Sequence, residues 1–557
     1  MSSASLQLGG DNWAAKDGNL LGYQKSSSSS VHIPHEFTFT RGSNLAATRV
    51  AANGLIEKGR ENLAKNTNWE GASLDTAPTN YTGYLLSNGT FNTTSTEGQI
   101  RFTTDSSSRA IVITSTISET GIFTQSVYVD EVYTSIAVID IINRSANATA
   151  IAYYEDGVEI TAATNVQAGK RYSILWNKTG AASFRFGSGV NTGKAGDIVL
   201  SRPQIEQGLV ATELIVSPVG STGLAGLLED EPRIDYAGGT ASLLLEPQRT
   251  NSIEYSEGIL SLSGNATAEY DFTQESPTGL RDGVALISNI QDSTGDRIQY
   301  QGDIVGGNTY TGSMYIKGTS GKSIKYYIKR QGGTYVASVA QTITFDGTWQ
   351  RIHSTFTSLA DNTGARIVLL NDSSVNAESC YIWGGQLEEG SYPTSYIPTY
   401  GTSVTRAEDT TNEKNFSSPC GDSNTWFFEL KRITDTSLSN QSIAIFKNDS
   451  TGANNRFTIY STNNGRFRVL LSDEGGTTEN LFSPNDSFEQ GETIKAAVKI
   501  TPSGCTLFVD GSSVATSSSV GTITGIDAIT YFRKAALKQF SFFPTALTDA
   551  ECITLTT

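Results

Sequence analysis

Charge is the first thing this chain is short of. Asp, Glu, Lys and Arg make up 17% of its 557 residues, against roughly 25% in typical soluble domains. What charge there is leans one way, to a net −16. That balance repels phosphate backbones and anionic lipid, so no nucleic-acid partner is expected. Histidine is limited to His32, His35 and His353, which starves hydrolytic triads and zinc sites of their usual base or ligand. The four cysteines, Cys380, Cys420, Cys505 and Cys552, include no CxxC pair. Free thiols are expected, with Cys505–Cys552 open as a disulfide. No run approaches the roughly 20 apolar residues that span a bilayer. The opening Met-Ser-Ser-Ala-Ser lacks the basic and apolar regions of a secretory signal. Neither membrane insertion nor secretion is expected, and sequons such as Asn80, Asn88 and Asn265 read as chance products of an Asn-, Ser- and Thr-rich composition.

What is plentiful points to β-structure. Glycine (54), Ser, Thr, Asn, Tyr and Phe abound. β-Branched and aromatic side chains pack on pleated sheets, and Gly, Asn and Ser make tight turns. A chain this long exceeds one core, so roughly three or four domains are expected. Short alternating runs such as Ala110-Ile-Val-Ile-Thr and Thr342-Ile-Thr-Phe345 are broken by turn residues, the pattern of a β-sandwich or jelly roll. The fold class is therefore all-β, three sandwich modules in tandem after an extended N-terminal segment.

The boundaries follow from composition and an internal repeat. Residues 1–60 are polar and irregular, with a Ser26–Ser30 run that reads as a joint and Asn53-Gly54 as a hairpin turn. Phe123-Thr-Gln-Ser-Val-Tyr128-Val129 is repeated by Tyr310-Thr-Gly-Ser-Met-Tyr315-Ile316, a displacement of 310 − 123 = 187. Gln204-Ile-Glu-Gln-Gly208 is repeated by Gln386-Leu-Glu-Glu-Gly390, a displacement of 386 − 204 = 182. The Tyr153-Tyr154 and Tyr326-Tyr327 pairs fall between these anchors in the same order. Two homologous jelly rolls are expected at 61–218 and 250–399, separated by a linker at 219–249. A second linker at 400–422 leads to a third sandwich at 423–557, where alternation resumes with Trp426-Phe-Phe-Glu-Leu.

Several strings carry a family resemblance. Thr48-Arg49-Val50 with Asn53-Gly54-Leu55-Ile56-Glu57, Pro232-Arg233-Ile234-Asp235-Tyr236, Leu244-Leu-Glu246-Pro247-Gln-Arg249-Thr-Asn251, and Gly384-Gly-Gln386-Leu-Glu388 through Pro398 with Val404-Thr-Arg406 resemble motifs of bacteriophage fibre and tail-type virion proteins. In those proteins the strings join jelly rolls of the carbohydrate-binding type. The C-terminal module, with Leu507-Phe-Val-Asp510-Gly511 and a closing Phe540-Ser-Phe-Phe543 to Thr548-Asp-Ala-Glu551, resembles the laminin-G-like, concanavalin-A-like sandwich. Thr548 and Glu551 have the spacing of a capping box. The resemblance implies a virion protein whose residues 1–60 hold other virion proteins, whose sandwiches meet host-surface glycan, and which assembles as an oligomer, a trimer by analogy with fibres.

Catalytic chemistry is thin. Glycoside hydrolysis needs two facing carboxylates roughly 5–9.5 Å apart; the nearest pattern, Glu269-Tyr-Asp271-Phe-Thr-Gln274, has Gln where a carboxylate is wanted. His32-Ile-Pro-His35 has metal-like spacing but reads as a surface pair. No cofactor is expected. Asp510 reads as a hairpin residue, with structural calcium as the other reading. For sugar binding an exposed aromatic face beside amides and carboxylates is needed. The candidates are Tyr154 and Tyr327, each one member of a Tyr-Tyr pair whose rings go to opposite faces of a strand, and Trp383, which with Trp349 reads more readily as core. Three functions stand: glycan-binding virion protein, bracing protein of the particle, and glycan depolymerase.

Overall fold

The computed structural model describes all residues except 1–3, 11–12, 17, 26–31, 43–44, 192–193, 258–261, 264–266, 272, 289–296, 371–374, 376, 378, 415–420, 437, 449–453 and 519–522. Ser26–Ser30, Asn265 and Cys420 lie outside the described residues. The chain is all-β, built from antiparallel sheets, with a single α-helix, Asp549–Thr556, among the described residues. Met1–Glu57, Glu229–Arg249 and Thr405–Thr557 gather into one unit, and Lys58–Leu228 with Thr250–Val404 into another.

The first unit joins residues 423–557, expected as a sandwich of their own, with strands from elsewhere in the chain in one closed ladder. Strand Asn424–Arg432 is buried on both faces. Trp426, Phe428 and Leu430 enter a large core with Phe446, Phe457, Phe532, Phe540 and Phe542. Phe427 goes the other way, to Ala497, Phe508, Phe543, Leu547 and Cys552. Rings stack tightly there, with Phe446 and Phe457 centroids 4.5 Å apart. Asp510-Gly511 closes the hairpin between Gly504–Val509 and Ser512–Ser517, both residues at positive φ (44° and 77°), as a two-residue turn matched to strand twist requires. The Asp510 carboxylate accepts from Lys495 N at 3.0 Å. Thr548 and Glu551 form the capping box that starts the helix.

The N-terminal segment is part of this same unit. Leu6–Gly9 pairs with Ala535–Phe543, placing Leu8 opposite Phe540. His32–Thr40 pairs with Asn19–Lys25 on one side and Thr410–Lys414 on the other. The segment read as an extended arm, and part of each segment read as a linker, supply strands to a ladder that closes around the core.

Those linker strings also supply a buried ionic network. Arg233 reaches Glu246 at 2.7 Å and also pairs with Asp409. Arg406 reaches the same Glu246 oxygen at 2.9 Å, and Arg41 reaches Asp409 at 3.5 Å. Further donors go to backbone, Arg233 to Thr48 O and Arg406 to Pro247 O, each at 3.1 Å. Charges this deep persist only when paired and hydrogen-bonded. The neighbouring carboxylates outweigh burial and hold the Arg233 guanidinium above its ordinary range.

The second unit holds two sandwiches, one of seven- and four-stranded sheets, the other of two five-stranded sheets. Their pairing schemes match. Gly121–Thr134 lies between Lys170–Lys178 and Gly196–Gln207; Thr309–Lys317 lies between Gln350–Thr357 and Ser379–Glu389. The repeat anchors coincide because they build the same hydrogen-bond frame. Gln204 donates to Glu206 at 2.5 Å and accepts from Ile215 N; Gln386 donates to Glu388 at 2.7 Å and accepts from Ile397 N. Thr212 and Thr394 each donate to that glutamate. Asn62 and Asn251 tie the chain entering each sandwich to Ile215 O and Ile397 O, both at 2.9 Å.

Candidate functional site

Of the three aromatic residues singled out from sequence, none presents an open ring. Tyr154 is 5% exposed, Tyr327 8% and Trp383 0%. Nor are Tyr154 and Tyr327 equivalent. Tyr154 lies on Ala148–Glu155, in the sheet of the long central strand of its sandwich. Tyr327 lies on Ser323–Gln331, in the sheet opposite the corresponding strand of the second sandwich. Tyr154 joins Ile122, Ala152, Leu175 and Leu209 in a small apolar cluster that takes in Tyr255 and Tyr270 of the second sandwich. Trp349 is half-buried, its indole N–H donating to Glu275 O at 3.0 Å.

Trp383 serves the same junction between the two sandwiches. Its ring lies 4.6 Å from Tyr396 and 5.6 Å from Tyr315, and its N–H donates to Asp282 O. The Lys58 ammonium sits 5.9 Å from its centroid. Lys58 Nζ is itself buried, 2.5 Å from Glu257 Oε1, 3.0 Å from Asp282 Oδ2 and 3.1 Å from the Tyr400 hydroxyl. Burial pulls Lys58 down, but Glu257, Tyr400 and Asp282 outweigh it and hold the amine protonated, well above its usual range. Glu257 is pushed up by burial, opposed by Lys58 and reinforced by Asp282. With one cation against two carboxylates this centre is structural, a polar pin enclosed by aromatic rings.

An open cleft lies at one end of the first sandwich. It measures about 180 Å³. The start of strand Tyr81–Leu86, the end of Arg109–Thr114 and the loop that follows bring Tyr81, Asn80, Thr116 and Glu119 together with Lys65. Asn80 adopts φ 73° and accepts from Gly220 N at 2.8 Å, which fixes the rim. The Tyr81 ring meets Trp69 edge-on, with centroids 6.4 Å apart. That ring packs partly against the core with its hydroxyl buried, whereas amide, amine, carboxylate and hydroxyls on the rim are groups that can hydrogen-bond the hydroxyls of a sugar. At this size the cleft is below the roughly 300–1,000 Å³ of enclosed ligand pockets. Among its lining residues Glu119 is the one carboxylate, half of what glycoside hydrolysis needs.

The residues considered for chemistry sit elsewhere. Asp271 spends its carboxylate on a turn, accepting from Thr273 N at 2.9 Å and Thr273 Oγ1 at 2.6 Å. His35 packs edge-on against Phe37 at 5.4 Å. Cys380, Cys505 and Cys552 are free and buried. Among the described residues no group of three or more His, Cys, Asp or Glu is arranged to hold a metal ion, and no helix is long and apolar enough to cross a membrane.

No family model matches the chain, and no curated protein does. Parts of it are similar to solved carbohydrate-binding modules. The CBM40 of the Ruminococcus gnavus IT-sialidase, solved with alpha2,3 sialyllactose, is 21% identical, with 25% of this chain covering 84% of that one at a TM-score of 0.21. The CBM22-1–CBM22-2 tandem of Paenibacillus barcinonensis Xyn10C is 12% identical, with 63% of this chain covering all of that one (100%) at a TM-score of 0.20. A CBM4 module is 23% identical over 20% of this chain at 0.18. At such scores nothing about ligand follows from these likenesses.

Proposed function

We propose that this chain is a non-enzymatic structural protein of a bacteriophage particle that presents its sandwiches to glycans on the host surface. The observation that carries the glycan reading is the Tyr81–Glu119 cleft, which sets mixed polar groups beside the partly buried Tyr81 ring, at a size for one sugar unit, with a single carboxylate. A shallow site of this kind binds weakly, and copies displayed together on one particle gain avidity without any tight contact. The phage reading rests on the resemblance of the strings around Arg49, Arg233, Glu246 and Gln386 to virion-protein motifs.

A glycan array probed with the full chain tests the proposal. Binding to host-derived polysaccharide, lowered by Glu119→Gln, is expected. A blank array favours a second reading, a bracing protein of the particle. One observation favours bracing: Arg233, Glu246 and Arg406 of those same strings are spent on a buried internal network.

A further inference from the structure

The two sandwiches share one more feature, and it faces outward. Strand Phe184–Ser188 pairs with Arg109–Thr114 and Ile142–Arg144. Its counterpart, Gly364–Leu370, pairs with Arg297–Asp303 and Ser323–Gln331. In the first, Phe184 and Phe186 enter the core and Arg185 between them points away from it. In the second, Ala365 and Ile367 enter the core and Arg366 points away. The displacement, 366 − 185 = 181, adjoins the 386 − 204 = 182 of the hydrogen-bond frame. The core neighbours have diverged from Phe and Phe to Ala and Ile, whereas the outward arginine stands in both copies.

Among the described residues, the side chains of Arg185 and Arg366 make no ion pair and donate no hydrogen bond, and each Nε is shielded from solvent without an acceptor. Their surroundings add positive charge. Arg109 and Arg144 lie near enough to Arg185 to oppose its charge, beside Tyr84, which is 44% exposed. Lys329, itself buried, stands directly opposite Arg366 in register, with exposed Gln301 on the other side. In a chain with 56 acidic residues against 40 basic ones, these two half-buried guanidiniums have no carboxylate paired with them among the described residues.

We infer that Arg185 and Arg366 are equivalent anion positions, each of which takes the carboxylate of an acidic sugar unit, so that the glycan bound is an acidic polysaccharide. This rests on the glycan-binding reading above and narrows it. A planar guanidinium grips a carboxylate through two parallel N–H···O bonds, and beside Arg185 the exposed Tyr84 offers a surface to the sugar ring. A net charge of −16 opposes general attraction to polyanions, so retention must be local.

The test uses the full chain and immobilised polygalacturonate and alginate, each against its methyl-esterified neutral form, with dextran sulfate and dextran alongside. Binding to the carboxylate polymers is expected, at least ~10-fold weaker after esterification and ~10-fold weaker for Arg185→Gln with Arg366→Gln. Each single variant falls part of the way, and Arg185→Lys, which keeps the charge without the fork, does not restore binding. Equal binding of acid and ester forms, or an unaffected double variant, overturns the inference and leaves glycan binding standing. Equal retention on dextran sulfate, which bears no carboxylate, also overturns it. Binding to none of the polymers counts against both.

Discussion

Lys58→Met removes the one cation from a buried centre that also holds Glu257 and Asp282, and leaves the volume nearly unchanged. The Lys58 ammonium is 2.5 Å and 3.0 Å from the two carboxylates. Without Lys58 the two carboxylates keep only neutral donors, the Tyr396 and Tyr400 hydroxyls on Glu257 and the Thr278 hydroxyl on Asp282, while Glu257 Oε2 and Asp282 Oδ1 are buried without partners. Stranding a buried charge in this way costs about 3–5 kcal/mol. In domains this size ~1 kcal/mol moves the melting temperature by roughly 2–4 °C, so a drop of roughly 6–20 °C is expected in the calorimetric transition of the tandem sandwiches. The deficit depends on pH. Burial already pushes Glu257 up to about 7. An acid whose folded pKa is raised lends relative stability below its unfolded value, which is lost as pH rises through the folded one. Without Lys58 that window moves higher still. Each pH unit within it is worth about 1.4 kcal/mol, and the two proteins part only above about pH 7, so the deficit near pH 8 exceeds that near pH 5.5 by about 1.4 kcal/mol. A deficit below about 1 kcal/mol, or one equal at both pH values, refutes the pin.

Other outcomes follow from the same structure. Arg233→Ala breaks the buried network shared with Glu246 and Asp409 and lowers the stability of that unit by about 3–5 kcal/mol, read from its urea midpoint; Arg233→Lys rescues little, lacking the planar fork. Thr548→Ala removes the capping box and costs about 1 kcal/mol, seen as faster hydrogen exchange in Ala550–Cys552. Burial pushes the thiols of Cys380 and Cys505 up to about 12 and that of Cys552 up to about 11. All three therefore resist alkylation near pH 8 until the chain unfolds; rapid native labelling, located by peptide mass, speaks against the packing. Glu119→Gln weakens glycan binding roughly tenfold and leaves the melting temperature unchanged because the side chain is exposed.

The parts of the fold legible in the sequence were those held by local rules. Asp510-Gly511 announces its hairpin, Thr548 with Glu551 its helix start, and Gln204 with Gln386 a frame that tolerates no change of spacing. Long-range pairing left no such mark. Leu8 meets Phe540 across more than five hundred residues, and nothing near residue 8 signals it, so 1–60 reads as an arm. The segment at 219–249 reads as a linker because the partners of Arg233 and Glu246 include Asp409, far along the chain. The Tyr-Tyr pairs misled for a geometric reason, since similar dipeptides fell on strands of opposite sheets. Trp383 was legible as core, but its place beside Lys58 depends on residues 58, 257 and 282 converging. The cleft was invisible because Lys65, Tyr81 and Glu119 come from three separate connections, and Arg185 and Arg366 lacked any local pattern until the strands were aligned.

The central claim, binding without cleavage, is tested most directly by passing the full chain mixed with purified host polysaccharide through size exclusion with light scattering. The protein is expected to co-elute with the polymer while the polymer mass stays constant. Protein eluting alone, or a polymer mass that falls with time, contradicts it.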